Sequence, residues 1–136
     1  MERSLGDGGM PLLAQLGVTF ERYGNGWAEA SWVPTDLAMN PFGSIHGGVS
    51  GVIHDAAMNF AVSATLEKGD QCATLEFKVS TMRGGAAGDQ LSVRAEVVRV
   101  SSQIAYLQST VSAADGRPVS TATGTFFIRR KPSQEH

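Results

Sequence analysis

The sequence predicts an α+β protein in which one long helix covers one face of an antiparallel sheet. Two periodicities lead to this prediction. From Gly47 to Leu66 apolar residues recur with the helical period, and from Ala73 onward apolar and polar residues alternate, as they do in half-buried strands. The chain has 136 residues, so we expect one domain over residues 1–136, with its core at about 10–130.

The segment before the long helix contains three predicted elements. Pro11 to Leu16 fits a short helical turn with proline near its start. Val18 to Tyr23 and Trp27 to Val33 fit two strands around Gly24-Asn25-Gly26, residue types that tolerate the positive φ of a tight hairpin turn. A loop over residues 34–45 then leads into the helix.

The long helix is predicted from a wide apolar stripe of small and medium side chains. Such a stripe is expected of a helix that packs on a sheet. Lys68-Gly69 supplies the predicted stop, since glycine adopts the left-handed conformation that ends many helices. The stripe consists of Val49, Val52, Ile53, Ala56, Ala57, Phe60, Ala61 and Ala64.

Four consecutive antiparallel strands are predicted after the helix, at residues 73–80, 91–97, 103–113 and 118–130. Glycines separate the first two strands, and Asp115-Gly116 joins the last two. In the first strand, apolar Ala73, Leu75, Phe77 and Val79 alternate with polar Thr74, Glu76, Lys78 and Ser80.

Composition excludes several classes of function. The net charge of −2 gives no basic surface for nucleic acid, and the single Cys72 excludes an intrachain disulfide framework and suits a reducing compartment. The first ten residues lack the apolar stretch of a signal peptide, and we expect their glycines at 6, 8 and 9 to form a loose tail. His54, Asp55 and Asn59 interrupt the least polar stretch, which argues against a membrane span. We therefore expect a cytoplasmic protein without membrane or nucleic-acid partners.

The residues with the strongest chemical signal lie at the start of the long helix. His46-Gly47-Gly48 places bare backbone N–H groups at the positive end of the helix dipole, where an oxyanion is stabilised. Asp55 lies two turns further on, in a mostly apolar helix. It belongs either to a solvated polar face or to a catalytic centre, as a base or nucleophile beside an oxyanion hole.

The pattern Asn40-x5-His46-Gly47-Gly48-x6-Asp55, followed by four strands, resembles the hotdog-fold thioesterases. The similarity is greatest to the acyl-CoA thioesterases of the phenylacetate-catabolism (PaaI) type, and it covers about residues 10–130. It implies a hotdog fold, in which a five- to six-stranded antiparallel sheet wraps one long central helix. It also implies a hydrolase of acyl-CoA without a separate cofactor, active as a homodimer that assembles into a homotetramer.

The resemblance assigns roles to individual residues. Asp55 is expected to be the nucleophile or the general base, acting across a dimer interface, and the Gly47 N–H to hold the oxyanion. Asn40 is expected to hold the attacking water or the acid, and His46 to orient the loop near the thioester. Thr74 corresponds to a strand hydroxyl that orients the water in some members. Other members carry that hydroxyl one helical turn after the acid, where this chain has Asn59.

Further residues are expected to contact the substrate. Arginine forks suit phosphates, so Arg83 beside Gly84 is a candidate for the coenzyme A phosphates. Met58 and Phe60 are candidates to line an acyl tunnel, although ordinary core packing is favoured for Phe60. The complete predicted substrate-binding set is Gly48, Met58, Asn59, Arg83 and Gly84.

The spacing of His46, His54 and Asp55 does not match that of metal ligands, so no metal site is predicted, and we expect His54 to be a surface or interface histidine. Three alternatives to a thioesterase stay open. A hotdog dehydratase or hydratase carries differently spaced His and acid motifs. A non-catalytic acyl-CoA-binding module has no use for Asp55 and usually carries a further domain, for which we expect no room here. The Asn40–His46–Gly47–Asp55 set argues against a purely structural dimer.

Overall fold

The computed structural model describes residues 5–132, so the ends of the predicted domain, residues 1–4 and 133–136, lie outside the described residues. Strands and helices occur where the two periodicities place them, and the α+β class is confirmed. In chain order the elements are α1 (Pro11–Leu16), β1 (Val18–Gly24), β2 (Trp27–Trp32), a short 3-10 helix (Asp36–Ala38), α2 (Gly47–Ser63), β3 (Gln71–Thr81), β4 (Leu91–Val100), β5 (Ile104–Ser112) and β6 (Pro118–Arg129).

The strands form a six-stranded antiparallel sheet in the order β1-β2-β4-β5-β6-β3, and α2 packs on one face of it. The last four strands are therefore antiparallel, as predicted, but the first two of them are not neighbours. β4 pairs with β2, while β3 crosses to the far edge and pairs with β6. This sheet around one central helix is the arrangement that the resemblance implies.

Helix α2 ends at Ser63, three residues before the predicted end at Leu66. The next N–H groups, of Thr65 and Leu66, donate to carbonyls three residues back, which tightens the chain into a turn. Gly69, with φ +94°, lies in the next turn, which the Asp70 N–H closes by donating to the Glu67 carbonyl. Burial is almost continuous around α2, and only four positions between Val49 and Asn59 stay half-buried: Val49, Val52, Asp55 and Asn59.

The edge strand β3 departs from the predicted alternation. A β-bulge lies between Thr74 and Glu76, and an extra residue at a bulge reverses which face the following side chains point to. Ala73 and Leu75 are exposed, whereas Thr74 points toward α2 together with Phe77, which lies beyond the bulge. The strict alternation predicted for this strand was therefore wrong on its first half. In β4 and β5 the alternation is regular over most of each strand.

The segment before α1 is not the loose tail that we expected. Gly6 and Phe20 form an isolated antiparallel bridge, with the Phe20 N–H donating to the Gly6 carbonyl over 2.6 Å. Gly8 has φ +67°, and a Cβ there would lie 3.2 Å from the Phe20 ring. The segment from Leu5 onward is therefore docked on β1. Among the described residues, no helix is both long and apolar enough to cross a membrane.

Candidate active site

The loop that leads into α2 is held by a network of short hydrogen bonds. The Asn40 side chain accepts bonds at Oδ1 from the backbone N–H of Phe42 (2.9 Å) and of Ser44 (3.1 Å). The Ile45 N–H donates to the Gly85 carbonyl over 2.9 Å. Asn40 thus builds the loop with its amide oxygen. The amide nitrogen is the group that remains for the predicted contact with water or the acid.

His46 forms the N-cap of α2. Its Nδ1 accepts a hydrogen bond from the Gly48 N–H over 2.9 Å, while its ring is exposed. Because Nδ1 is the acceptor, the neutral ring carries its proton on Nε2. A Cβ on Gly48 would lie 3.2 Å from this ring, so glycine leaves room for the cap. The Gly48 N–H is thus used inside the protein, and a substrate contact at Gly48 stays a prediction.

Gly47 is the open position at the start of α2. Its N–H has no acceptor among residues 5–132, and a Cβ built on it would meet no atom within 4 Å. Backbone N–H groups in the first turn of a helix are unpaired within the helix and lie at the positive end of its dipole. Gly47 therefore presents an accessible donor suited to a carbonyl oxygen that gains negative charge.

Asp55 lies on the side of α2 that faces β3. Its Oδ1 accepts a hydrogen bond from the Thr74 hydroxyl over 2.6 Å, and both residues are half-buried. Beside the β-bulge of β3, the Thr74 side chain faces the helix. Asn59, one turn further along α2, accepts from the Ser63 hydroxyl over 3.4 Å and is also half-buried. The structure thus brings Thr74 to the carboxylate.

Gly47 and Asp55 do not meet within one protomer. They are separated by eight residues of α2, which corresponds to about 12 Å along the helix axis. A reacting carbon must lie about 3 Å from both the attacking group and the oxyanion donor. Within a single copy of the chain, the Gly47 N–H and the Asp55 carboxylate are therefore too far apart to act on the same carbon atom.

Arg83 and Gly84 lie at the end of the sheet that also carries the start of α2. A Cβ on Gly84 would lie 3.5 Å from the Ser44 hydroxyl, in the loop before the helix. The Arg83 guanidinium is 3.9 Å from the Asp115 carboxylate, which also binds the Arg117 side chain at 2.8 Å. The backbone N–H of Arg117, then its side chain, hold the pKa of Asp115 below its ordinary value. Two arginines thus flank this end of the molecule.

Met58 and Phe60, the predicted tunnel residues, lie in the core. Met58 is fully buried, and its Cε would lie 3.0 Å from a Cβ on Gly124 of β6. Phe60 stacks on Phe20 with ring centroids 4.6 Å apart. The favoured interpretation of Phe60 as a core residue agrees with this placement. A contact of Met58 with an acyl group stays a prediction.

His54 is not the surface or interface histidine that we expected. It is completely buried in the protomer, with Nδ1 2.8 Å from the Ser109 hydroxyl and Nε2 2.7 Å from the Ser120 hydroxyl. Burial lowers the pKa of His54 to about 4. The sequence carried a signal for this position. His54 lies three and seven residues before Ala57 and Ala61, which belong to the predicted apolar stripe.

Within the described part of the chain, no group of three or more His, Cys, Asp or Glu side chains is placed to hold a metal ion.

Comparison with known proteins places this geometry in a family. The family model described as the thioesterase superfamily matches residues 42–120, more than half of the chain. A solved structure of a phenylacetic acid degradation-related protein from Ralstonia eutropha is 33% identical. The match covers 86% of this chain and 89% of that chain, with a TM-score of 0.79.

Two further solved structures share the fold. A thioesterase from Haemophilus influenzae is 23% identical, with 92% of this chain and 87% of that chain covered and a TM-score of 0.81. A hypothetical thioesterase protein from Streptococcus pneumoniae, solved with coenzyme A, is 20% identical, with 88% and 93% covered and a TM-score of 0.79. The chain therefore belongs to the thioesterase superfamily, has its hotdog fold, and is a thioester hydrolase.

Proposed function

We propose that this thioester hydrolase acts on acyl-coenzyme A, releasing a carboxylic acid and coenzyme A at a site shared by two copies of the chain. One observation carries the proposal. The open N–H of Gly47 and the carboxylate of Asp55 are complementary groups about 12 Å apart on one helix. A second copy that brings its Asp55 to the first copy's Gly47 completes the site.

The edge strand β3 supports this assembly. It has 11 residues, and one of its two edges pairs with β6, while the other has no partner within residues 5–132. Leu75 is 56% exposed and Phe77 39% exposed on this strand. A long, apolar, unpaired edge is a template for another strand. We propose that two copies pair through β3, which carries Thr74 and lies beside Asp55, and that such dimers form the homotetramer.

The proposed reaction begins when the Gly47 N–H polarises the thioester carbonyl. Asp55 of the other copy then acts as the nucleophile or as the general base that activates water, and the Thr74 hydroxyl holds the carboxylate in place. Water supplies the oxygen of the product acid, and the coenzyme A thiolate leaves and takes up a proton. An oxyanion donor of this kind accounts for about 10² to 10³ in the rate of acyl transfer.

The coenzyme A part of the substrate is proposed to bind at the end of the sheet that carries Arg83 and Gly84. The Streptococcus pneumoniae relative was solved with coenzyme A, and Arg83 here is exposed and adjoins Gly84, which lies beside the loop that precedes α2. Arginine matches phosphate geometry with paired N–H groups. We place the enzyme in the cytoplasm, where coenzyme A and a reduced Cys72 are both expected.

The first experiment measures thiol release from a panel of acyl-coenzyme A esters. The panel contains phenylacetyl, hydroxyaryl and straight-chain acyl groups, because the Ralstonia eutropha relative is a phenylacetic acid degradation-related protein. We expect at least one ester to be hydrolysed, and Asp55→Asn to lower kcat by about 10² to 10⁴, the range for a lost acid–base group. Binding without thiol release from any ester would favour the non-catalytic module.

The second experiment tests whether the site is shared. Gly47→Pro removes the N–H at a helix position where proline is favoured, and His46 already has the extended conformation (φ −66°, ψ 130°) that proline requires before it. Asp55→Asn and Gly47→Pro chains are each expected to be inactive alone. After co-refolding they should regain about a quarter of wild-type activity, because half of the dimers are mixed and each mixed dimer contains one intact site. No regain would contradict the shared site while leaving thioesterase activity in place.

A further inference from the structure

The core contains a polar cluster that the proposed reaction does not use. It consists of His54 on α2, Ser109 on β5 and Ser120 on β6, and we call it the histidine–serine cluster. His54 is 0% exposed and the two serines 1% each. They are three of the six buried polar residues in the described chain. Both ring nitrogens bind a hydroxyl, at 2.8 Å and 2.7 Å.

The cluster satisfies both ring nitrogens of His54. Burial keeps the imidazole neutral at pH 7, so one ring nitrogen donates and the other accepts. One serine hydroxyl must therefore accept from the ring and the other must donate to it. Hydrogen bonds of this kind have a narrow range of favourable angles. The cluster therefore fixes the orientation of α2 relative to β5 and β6, and not only its distance from them.

Stability alone gives no reason for these residue types. Replacing every member of a buried hydrogen-bonded group by apolar residues of similar shape is often close to neutral for stability. The neighbours of His54 on the same face of α2, three and four residues away, are Ser50, Gly51, Ala57 and Met58, all buried. Three of them are small, and methionine is the most flexible of the large apolar side chains, so their packing resists rotation of the helix only weakly. Directional bonds at His54 supply the restraint that this packing lacks.

Asp55 is the next residue, so its direction depends on the rotation of α2. Consecutive helical residues point about 100° apart, and the Asp55 carboxylate meets Thr74 on β3 while His54 meets the serines on β5 and β6. A carboxylate about 6 Å from the helix axis moves by about 1 Å when the helix turns by about 10°. Displacements of about 1 Å in a catalytic group cost on the order of 10²-fold in rate.

We propose that His54 is a positioning residue, and that the histidine–serine cluster sets the rotation of α2 that holds the Asp55 carboxylate at Thr74. The inference rests on the proposed function, since it requires a catalytic Asp55. His54 is sealed from solvent. It acts through the helix. It lies in the same turn of α2 as the Asp55 carboxylate, on the side that is buried against the sheet.

The main test replaces the whole cluster by apolar residues, in the triple variant His54→Leu, Ser109→Ala, Ser120→Ala. No buried polar group is then left without a partner, so the variant is expected to fold. We expect kcat to fall about 10- to 100-fold with KM within about twofold of wild type, measured with the ester of highest kcat/KM in the panel. An unchanged kcat in a folded triple variant would overturn the proposal.

Conservative variants separate positioning from packing. The His54→Asn side chain keeps a polar atom near the Nδ1 position and can reach Ser109, while the His54→Gln side chain keeps one near Nε2 and can reach Ser120. Each is expected to retain a larger share of kcat than His54→Leu. The matched control is Val62→Ala, on the same helix and equally buried, which loses packing without changing a polar contact. If Val62→Ala lowers kcat as much as the triple variant, the effect is general loosening and the proposal fails.

Asp55→Asn distinguishes a failure of this inference from a failure of the proposed function. If Asp55→Asn keeps wild-type kcat, the proposed catalytic role is wrong and the positioning role falls with it. If Asp55→Asn loses activity but the triple variant does not, only the positioning role is wrong. In the Asp55→Asn background the triple change should have almost no further effect on kcat, because the group that it misplaces is already gone. A full additional loss there would also contradict the proposal.

Discussion

His54 and Asp55 are consecutive residues of α2 with opposite surroundings. His54 is sealed between the helix and the sheet, and both of its nitrogens bind serine hydroxyls. Asp55 is half-buried, and one of its oxygens binds the Thr74 hydroxyl. Its other oxygen, Oδ2, accepts no bond within residues 5–132. The difference teaches that a fully satisfied polar group holds the fold in place, whereas one with unused bonding capacity is available for chemistry.

After that of Asp55→Asn, the largest expected effect is at Gly47, the exposed backbone donor that the proposed reaction pairs with Asp55. Gly47→Pro should lower kcat by about 10² to 10³, because it deletes the donor that would hold the oxyanion. Gly47→Ala is the matched control, since it keeps the N–H and its Cβ would point into open space. We expect Gly47→Ala to stay within about tenfold of wild type. Steady-state kinetics of both variants measure the difference, and equal losses would contradict an oxyanion role for the N–H.

The second expected effect concerns the buried His54 and is a change of the free energy of unfolding with pH. The pKa of His54 is lowered by burial from 6.5 to about 4 in the folded protein. Because the unfolded chain then binds a proton at higher pH than the folded one, stability is full above pH 6.5 and falls as the pH drops toward 4. The loss is about 3 kcal/mol, at about 1.4 kcal/mol per unit of pKa.

Urea unfolding at a series of pH values measures this loss, with His54→Gln as the control that cannot titrate. The free energies of unfolding of the two proteins should change in parallel above pH 6.5 and diverge below it. Glu29, Asp70 and Asp115 also have lowered pKa values, but both proteins contain them and their contributions cancel in the difference. If the two free energies of unfolding stay parallel down to pH 4, His54 does not stay neutral in the folded protein.

The smallest expected effect concerns the hydrogen bond that the Thr74 hydroxyl donates to Asp55. Thr74→Val removes the hydroxyl that holds Asp55 and keeps the shape of the side chain, so kcat should fall about tenfold, as expected for a hydrogen bond to a charged group. Thr74→Ser retains the hydroxyl and should stay close to wild type. Thermal unfolding should be little changed in either variant. If serine and valine behave alike, the 2.6 Å contact does not serve the reaction.

Most of the fold follows from local periodicity, and the differences from it have identifiable causes. Helix α2 begins at Gly47 as predicted, because its apolar stripe and paired glycines are local signals. The position of β3 beside β6 could not be predicted in this way, because strand order is decided by contacts between residues distant in the sequence. The β-bulge after Thr74 could not be predicted either, because apolar and polar residues alternate regularly through it.

The candidate site was predicted unevenly for similar reasons. The positions of Asn40, His46, Gly47 and Asp55 follow from a pattern of nearby residues, and the structure places each of them at or near α2. That the Gly48 N–H is used by His46 depends on one side-chain rotamer, which a pattern does not specify. The burial of His54 depends on serines 55 and 66 residues away along the chain.

The crossing of β3 to the far edge of the sheet has a consequence for the order in which the molecule folds. β3 is completed at Thr81, but its only partner within the described residues, β6, begins at Pro118. At synthesis rates of about 5 to 20 residues per second, β3 waits about 2 to 7 seconds before that partner begins to be made. Pairings between distant segments also form slowly, since a large loop must close first. The strand that carries Thr74 is therefore among the last parts to be fixed, and the hydrogen bond from Thr74 to Asp55 forms late in folding.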